Sequence, residues 1–216
     1  MAPQQNTTTH QNTISPVSLD ASIQIDPADL QYRELLGSGG FGSVHRGLYK
    51  QKQVAIKRLY VMNNQVSPQL VQEFEKEVKI LQKLQHDRLV SIVGVVVSPK
   101  ELCMVLEYMP RGNLYNLIHV EKLPLDRDRK FRVARQIVEG LEFLHHGNAK
   151  PTVHRDLKSM NVVLDNYFNA KLCDFGLTQS MEKTHITRKE QESGSPRFFF
   201  FLAFELLYGL AALAET

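Results

Sequence analysis

The sequence predicts an α+β chain, in which a five-stranded antiparallel sheet with one helix is followed by a helical region. Three features predict it. Short β-rich runs crowd residues 36–106, one stretch among them repeats apolar residues at helical spacing, and a second helical stripe follows between polar loops. The 216 residues are 43% hydrophobic and 23% charged, which is ordinary globular usage and enough for one core or two small lobes.

Residues 1–29 read as a disordered polar leader. Gln, Asn, Thr and Ser dominate it to about residue 25, with too little apolar surface to offset the chain entropy lost on folding. Between Leu36 and Lys57 lie two strand-like runs, one at a glycine cluster and one at Val54-Ala55-Ile56-Lys57, joined by polar and turn-prone residues; the order is strand, loop, strand, strand. Ser67-Pro68 then offers an N-cap with proline at the first helical position, and Phe74, Val78, Leu81 and Leu84 repeat at helical spacing. That predicts a helix of about four turns. Residues 89–97 and 102–106 are further strands, and Pro110-Arg111-Gly112-Asn113 is a turn before a short helix at 114–118. Phe131, Ala134, Val138, Leu141 and Leu144 form the second helical stripe, stopped by Gly147.

Bulk properties narrow the function only by exclusion. A net charge of +3, spread along the chain without long basic blocks, argues against nucleic acid or an anionic membrane as partner. Two cysteines, Cys103 and Cys173, cannot make a disulfide framework and lack the spacing of a zinc site, so a reducing compartment is expected. The N-terminus has neither a basic nor an apolar signal region, and a cytoplasmic location follows as the expectation. His145 and His146 read as helix-end residues, with no second pair of metal ligands near them.

The loops carry the chemistry. In Gly37-Ser38-Gly39-Gly40-Phe41-Gly42-Ser43-Val44 the glycines let backbone N–H groups approach a polyphosphate with no Cβ in the way. Such a pattern alone could be a mere turn. A dinucleotide fingerprint would need a helix directly after the glycines and an acid about twenty residues on; a strand follows instead, and the residue at that distance is Lys57. The loop therefore reads as a hairpin lid over phosphates. Lys57 could be an ordinary strand-end lysine unless a carboxylate holds it. Of the acids Glu73, Glu75 and Glu77, the last shares the inward face with Phe74 and Leu81, where an acid should be paired, and a Lys57–Glu77 ion pair is expected.

His154-Arg155-Asp156-Leu157-Lys158-Ser159-Met160-Asn161, followed by Asp174-Phe175-Gly176, is the most specific stretch. Phosphoryl transfer needs a carboxylate to orient the acceptor, which Asp156 suits, and hard oxygen ligands for Mg²⁺, which Asn161 and Asp174 suit.

In this order, over about residues 30–197, these motifs resemble the protein kinases, and most closely the tyrosine-kinase-like group of serine/threonine kinases. The resemblance implies a protein-kinase-like two-lobed fold, a smaller lobe over about 30–109 and a larger one over 110–197. It implies ATP and Mg²⁺ as cofactors and a protein Ser or Thr hydroxyl as acceptor. Leu36 and the run from Gly37 to Val44 would cover the nucleotide, Lys57 would hold its α- and β-phosphates, and Glu77 would anchor Lys57. Asp156 would orient the hydroxyl, and Asn161 and Asp174 would bind Mg²⁺. Leu106 matches the gatekeeper, Glu107 to Met109 the hinge whose backbone bonds adenine, and Val44, Ala55 and Val163 the apolar sandwich around that ring. Leu81, Ile92, His154 and Phe175 match the stacked column that aligns the lobes. Lys158, two residues after Asp156, matches the serine/threonine-type loop. Cys173 reads as a small buried hydrophobe rather than a redox sensor.

After Arg197 the pattern departs from the family. Phe199-Phe200-Phe201-Leu202 intervenes before Ala203-Phe204-Glu205, where the family has Ala-Pro-Glu, and several helices of the large lobe are missing before Thr216. The larger lobe is therefore expected to be incomplete. Residues 198–216 read as an aberrant apolar tail, in which Glu205 interrupts a run already short for a bilayer; a packing helix or non-native tail is expected rather than a membrane span. Ser180, Thr184, Thr187, Ser193 and Ser195 lie where phosphorylation would switch an activation segment, Ser195 the least suited. Two function classes follow: an ATP-dependent serine/threonine kinase, or a catalytically impaired nucleotide-binding or scaffold protein.

Overall fold

Three antiparallel strands precede the first α-helix in the chain. Strand β1 (Leu30–Gly39) runs antiparallel to β2 (Gly42–Tyr49), and β2 to β3 (Lys52–Leu59). Lys50 and Gln51 both take positive φ, 47° and 65°, which is the backbone a two-residue hairpin needs to match the twist of its strands. β3 then pairs not with its successor in sequence but with β5 (Glu101–Glu107), and β4 (Ile92–Ser98) closes the sheet in the order β1-β2-β3-β5-β4. The computed structural model describes residues 19–40, 42–61, 66–98, 101–149, 151–175 and 179–180.

Helix α1 (Pro68–Lys83) occupies the crossover between β3 and β4. Ser67 caps it, its hydroxyl accepting from Leu70 N at 3.2 Å, with Pro68 at the first turn where no amide partner is needed. Val71, Phe74, Val78 and Leu81, spaced three and four apart, are its buried residues, and the helix packs on β4 and β5. Alternation divides the sheet: Leu102 and Met104 join the cluster of α1, whereas Cys103, Val105, Val54 and Ile56 build a second cluster on the opposite face. Lys57, one step from Ile56, therefore leaves β3 on the side of α1.

In the second lobe α2 (Arg127–His146) is capped by Asp126, whose carboxylate accepts from Arg129 N at 2.8 Å, and Gly147 follows its last turn. Strands β7 (Val162–Leu164) and β8 (Ala170–Leu172) form a ribbon against α2, and β6 (Thr152–Val153) pairs with β9 (Gln179–Ser180).

Four sequence expectations are corrected. Residues 19–29, taken as part of the disordered leader, are ordered: one-turn 3₁₀ helices span Ala21–Ile23 and Pro27–Asp29, and Leu19 and Ile25 are buried. The few apolar residues among the polar ones are the ones that pack. On α2 the predicted stripe is rotated, since Phe131 and Val138 are 54% and 46% exposed while Val133, Ile137, Gly140 and Leu144 are buried. Gly140 lets Leu172 and the Arg88 backbone approach closely, and the Gln136 amide clamps Ala170 N and Asn169 Oδ1 at 2.8 and 3.1 Å. A count of apolar residues misses both anchors. The helix expected at 114–118 continues as an i→i+5 turn over Asn116–Val120, closed by Glu121 N to Asn116 O at 2.8 Å. Finally, β4 starts at Ile92 rather than residue 89, because Val90 N is taken by Leu172 O of the other lobe at 2.9 Å.

Phe41, Gly176, the apolar tail at 198–216, and Thr184, Thr187, Ser193 and Ser195 lie outside the described residues; Ser180 sits in β9. No helix among the described residues is long and apolar enough to cross a membrane.

Candidate active site

Three elements bring charge to one place. Lys57 comes from β3, Glu77 from the buried face of α1, and Asp174 from the segment after β8. Lys57 Nζ donates to Glu77 Oε1 at 2.8 Å and to Asp174 Oδ1 at 2.9 Å. The Lys57 and Glu77 side chains retain only 18% and 11% of their exposure, whereas Asp174 keeps 47%. Burial opposes the Lys57 charge most strongly, but Glu77 and Asp174 together outweigh it and hold the ammonium above the ordinary lysine range. Burial likewise pushes the Asp174 carboxyl up, and Lys57 overcomes this to hold it below the ordinary value.

Those shifts fix a pH dependence. The contribution of Asp174 is fully present above its unfolded pKa of about 3.9 and is lost as pH falls through the lower folded value; that of Lys57 is present below about 10.4 and lost as pH rises through the higher folded value. Asp174→Asn should therefore flatten the melting-temperature profile below about pH 4 and leave the alkaline limb, which Glu77 still supports. Superimposable acid limbs in scans from pH 2 to 6 would contradict this assignment.

A second cluster stands beside the first. Asn161 Nδ2 donates to both the backbone O and the Oδ2 of Asp156 at 2.8 Å, and Lys158 Nζ lies 2.8 Å from the same Oδ2. Among the described residues no partner reaches Asp156 Oδ1. Asn161 closes the one-turn helix Ser159–Asn161, and its carbonyl accepts from Cys173 N at 3.0 Å, which ties this loop to the segment bearing Asp174.

His154 locks the junction. Its Nε2–H donates to Cys173 O at 2.9 Å while Nδ1 accepts from Asp156 N at 3.3 Å, so the ring is neutral and its tautomer fixed. Burial holds its pKa below the usual histidine range, in agreement. The ring of Phe175 lies 5.1 Å from that of His154, with Leu81 buried and Ile92 partly buried in the same core. Arg155 and Asp174 adopt φ of +67° and +63°, left-handed conformations that cost energy in non-glycine residues and aim both out of regular structure. Sequence reading gave no sign of these, nor of the direct Lys57–Asp174 contact. Cys173 has no disulfide partner, and burial pushes its thiol up to about 12, which suits an inert group.

At the tip of β1 and β2 the glycine hairpin pairs Gly37 with Val44, Ser38 with Ser43 and Gly39 with Gly42. A Cβ at Gly37, Gly39 or Gly40 would meet nothing within 4 Å, while one at Gly42 would strike Arg58 O. Three glycines thus border open space, and the fourth is required by β3. Leu36 is exposed on β1, and Val44, Ala55 and Val163 are partly buried. Ala55 pairs with Leu106 across β3 and β5. Beyond it Glu107 N donates to Ser91 O at 2.9 Å, and Glu107 Oε2 takes Lys171 Nζ at 2.8 Å. That ion pair pins the link between the lobes, with Met109 buried after it. Lys171 was missed; its signal is its place between the inward Ala170 and Leu172.

A cleft of about 480 Å³ lies elsewhere, between residues 86–88 and the end of α2, lined by His86, Glu142, Phe143 and His146 among others. It shares no residue with these clusters, so donor chemistry rather than volume locates the site. No group of three or more His, Cys, Asp or Glu suited to a metal occurs among the described residues. Asn161 and Asp174 nonetheless offer hard oxygens, and Mg²⁺ typically needs only one or two protein carboxylates beside phosphate oxygens.

Residues 30–210 match the family described as protein tyrosine and serine/threonine kinase. A probable serine/threonine-protein kinase of Dictyostelium discoideum is 36% identical over 189 residues, covering 88% of this chain and 20% of the relative. The serine/threonine-protein kinase CTR1 of Arabidopsis thaliana is 38% identical over 178 residues, covering 82% and 21%. The dual specificity protein kinase shkC of D. discoideum is 35% identical over 177 residues, covering 81% and 34%. The chain thus spans a fifth to a third of the length of these relatives. The family match covers more than half of the chain, and the chain belongs to the protein tyrosine and serine/threonine kinase family.

Proposed function

We propose that the chain binds Mg·ATP beneath the β1–β2 hairpin and transfers the γ-phosphoryl group to a Ser or Thr hydroxyl of a protein. The observation that carries this reading is the pair of clusters around Lys57 and Asp156, joined through the Cys173–Asn161 backbone bond. Lys57, fixed by Glu77, holds phosphate oxygens. Gly37, Gly39 and Gly40 leave room for backbone amides to approach them. The backbone of Glu107 and Met109 serves the adenine, with Val44, Ala55, Val163 and Leu106 around its ring.

Asp156 accepts the proton of the acceptor hydroxyl through Oδ1 as that oxygen bonds to the γ-phosphorus and the bond to the β-bridging oxygen breaks. Lys158 sits on the other carboxylate oxygen and presents its positive charge to the transferring group. The donor set fits magnesium, since the Asn161 amide nitrogen is committed to Asp156, leaving its oxygen for the metal, and Asp174 keeps Oδ2 beside the Lys57-bound Oδ1. When bound, Mg²⁺ would neutralise phosphate charge. A nucleotide-binding protein without transfer is a second reading, favoured by Phe131 and Val138 on α2, two large apolar side chains left exposed within the lobe that carries Asp156.

Saturating Mg·ATP should raise the melting temperature by about 5–10 °C, as a ligand at roughly a hundred times its Kd does for a domain of this size. Labelled phosphate should then appear on Ser and Thr of a protein acceptor. A shift without transfer supports the second reading, and no shift rejects both.

A further inference from the structure

The segment 19–29 lies ahead of every motif of the site, yet it is built into both faces of the sheet. It runs along β4, the outermost strand in the order β1-β2-β3-β5-β4. Ile25 N donates to Val95 O at 2.8 Å, and Gln24 makes a parallel bridge to Val95. An edge that would otherwise offer unpaired amides and carbonyls is thereby covered. Its apolar side chains then diverge. Leu19 is buried in the same cluster as Val71, Phe74, Val78 and Leu81 of α1, and Ile23 packs against that cluster. Ile25 belongs instead to the cluster on the other face, with Val96, Cys103 and Val105.

The segment is also held by its own chemistry. Asp20 and Asp26 accept from Ser22 N and Ala28 N, both at 2.9 Å, and Pro27 opens the second turn. Beneath it, Gly94 is the seat. A Cβ there would lie 2.5 Å from Ile25 Cδ1 and 2.6 Å from Ile23 O, so any side chain must lift the segment. Glu77 stands between Phe74 and Val78, two residues of the cluster that Leu19 completes. A shift of that packing moves the carboxylate that holds Lys57.

We propose that residues 19–29 form a strap seated over Gly94 through Ile23 and Ile25, in which Leu19 and Ile23 are positioning residues: packed on the α1 cluster, they hold α1 so that Glu77 stays on Lys57. The proposal rests on the reading of Lys57 as the phosphate-holding lysine for its functional consequence, but not for its structural claim. Displacing the strap, by a partner or by a change within it, would loosen α1 without touching any residue of the site.

Gly94→Ala tests this because it adds one methyl and removes no core side chain. Amide exchange of nucleotide-free protein, followed by mass spectrometry, should show α1 exchanging about tenfold faster while α2 keeps its protection. Mg·ATP affinity should fall roughly three- to tenfold. Should Gly94→Ala fail to fold, Leu19→Ser gives the same reading, with Leu19→Met restoring both exchange and affinity. The strap proposal is overturned if α1 stays as protected as in the parent, or if α1 and α2 lose protection together, which is general destabilisation. If α1 loosens selectively but the parent protein binds no Mg·ATP, the strap stands and the proposed function falls.

Discussion

Asp156→Asn should lower phosphoryl transfer by roughly 10²- to 10⁴-fold while leaving the expected Mg·ATP-induced rise in melting temperature in place. The replacement is nearly isosteric, so the hydrogen bond from Asn161 Nδ2 to the residue 156 backbone O at 2.8 Å survives. What disappears is the charge. Lys158 loses its 2.8 Å partner, and no carboxylate remains to take a proton from an acceptor hydroxyl. In the proposed function, nucleotide binding rests on Lys57, Glu77 and the hairpin, none of which Asp156 touches among the described residues. A rate within tenfold of the parent would remove Asp156 from the chemistry. Loss of the thermal shift would place it in nucleotide binding or in the stability of the loop instead.

The sequence revealed most where chemistry restricts residue type, and least where packing alone decides. The α1 stripe, its Ser67 cap and Glu77 on its inner face could all be derived, because a 16-residue helix against a sheet leaves only one face for Phe74, Val78 and Leu81. α2 has apolar residues on more than one side, and the choice among them rests on Gly140 and the Gln136 clamp. The strap was hidden for the opposite reason. Composition averaged over 29 residues dilutes Leu19, Ile23 and Ile25, although Leu19 and Ile25 are buried and Ile23 and Ile25 sit on Gly94 far along the chain. Within the candidate site, residue roles could be proposed by type, but the positive φ of Arg155 and Asp174 and the Lys171–Glu107 pair are tertiary facts. No local pattern encodes them.

Lys57→Met should abolish the Mg·ATP thermal shift and lower transfer by at least roughly 10²-fold, since it removes the cation positioned for developing phosphate charge. It should also destabilise the nucleotide-free protein, by as much as about 3 kcal/mol, because Glu77 is left inside the fold with its 2.8 Å partner gone. These two effects need separating, as a variant that merely unfolds would also fail to bind. Adding Glu77→Gln to Lys57→Met neutralises the stranded carboxylate and should recover most of the lost stability in urea unfolding, with no recovery of the Mg·ATP shift. That combination of results would assign Lys57 two distinct jobs: balancing Glu77 without nucleotide and holding phosphate with it. If the double variant regained the Mg·ATP response, Lys57 would act only by keeping Glu77 in place, and the phosphates would have to be held by the glycine hairpin and the metal ligands alone.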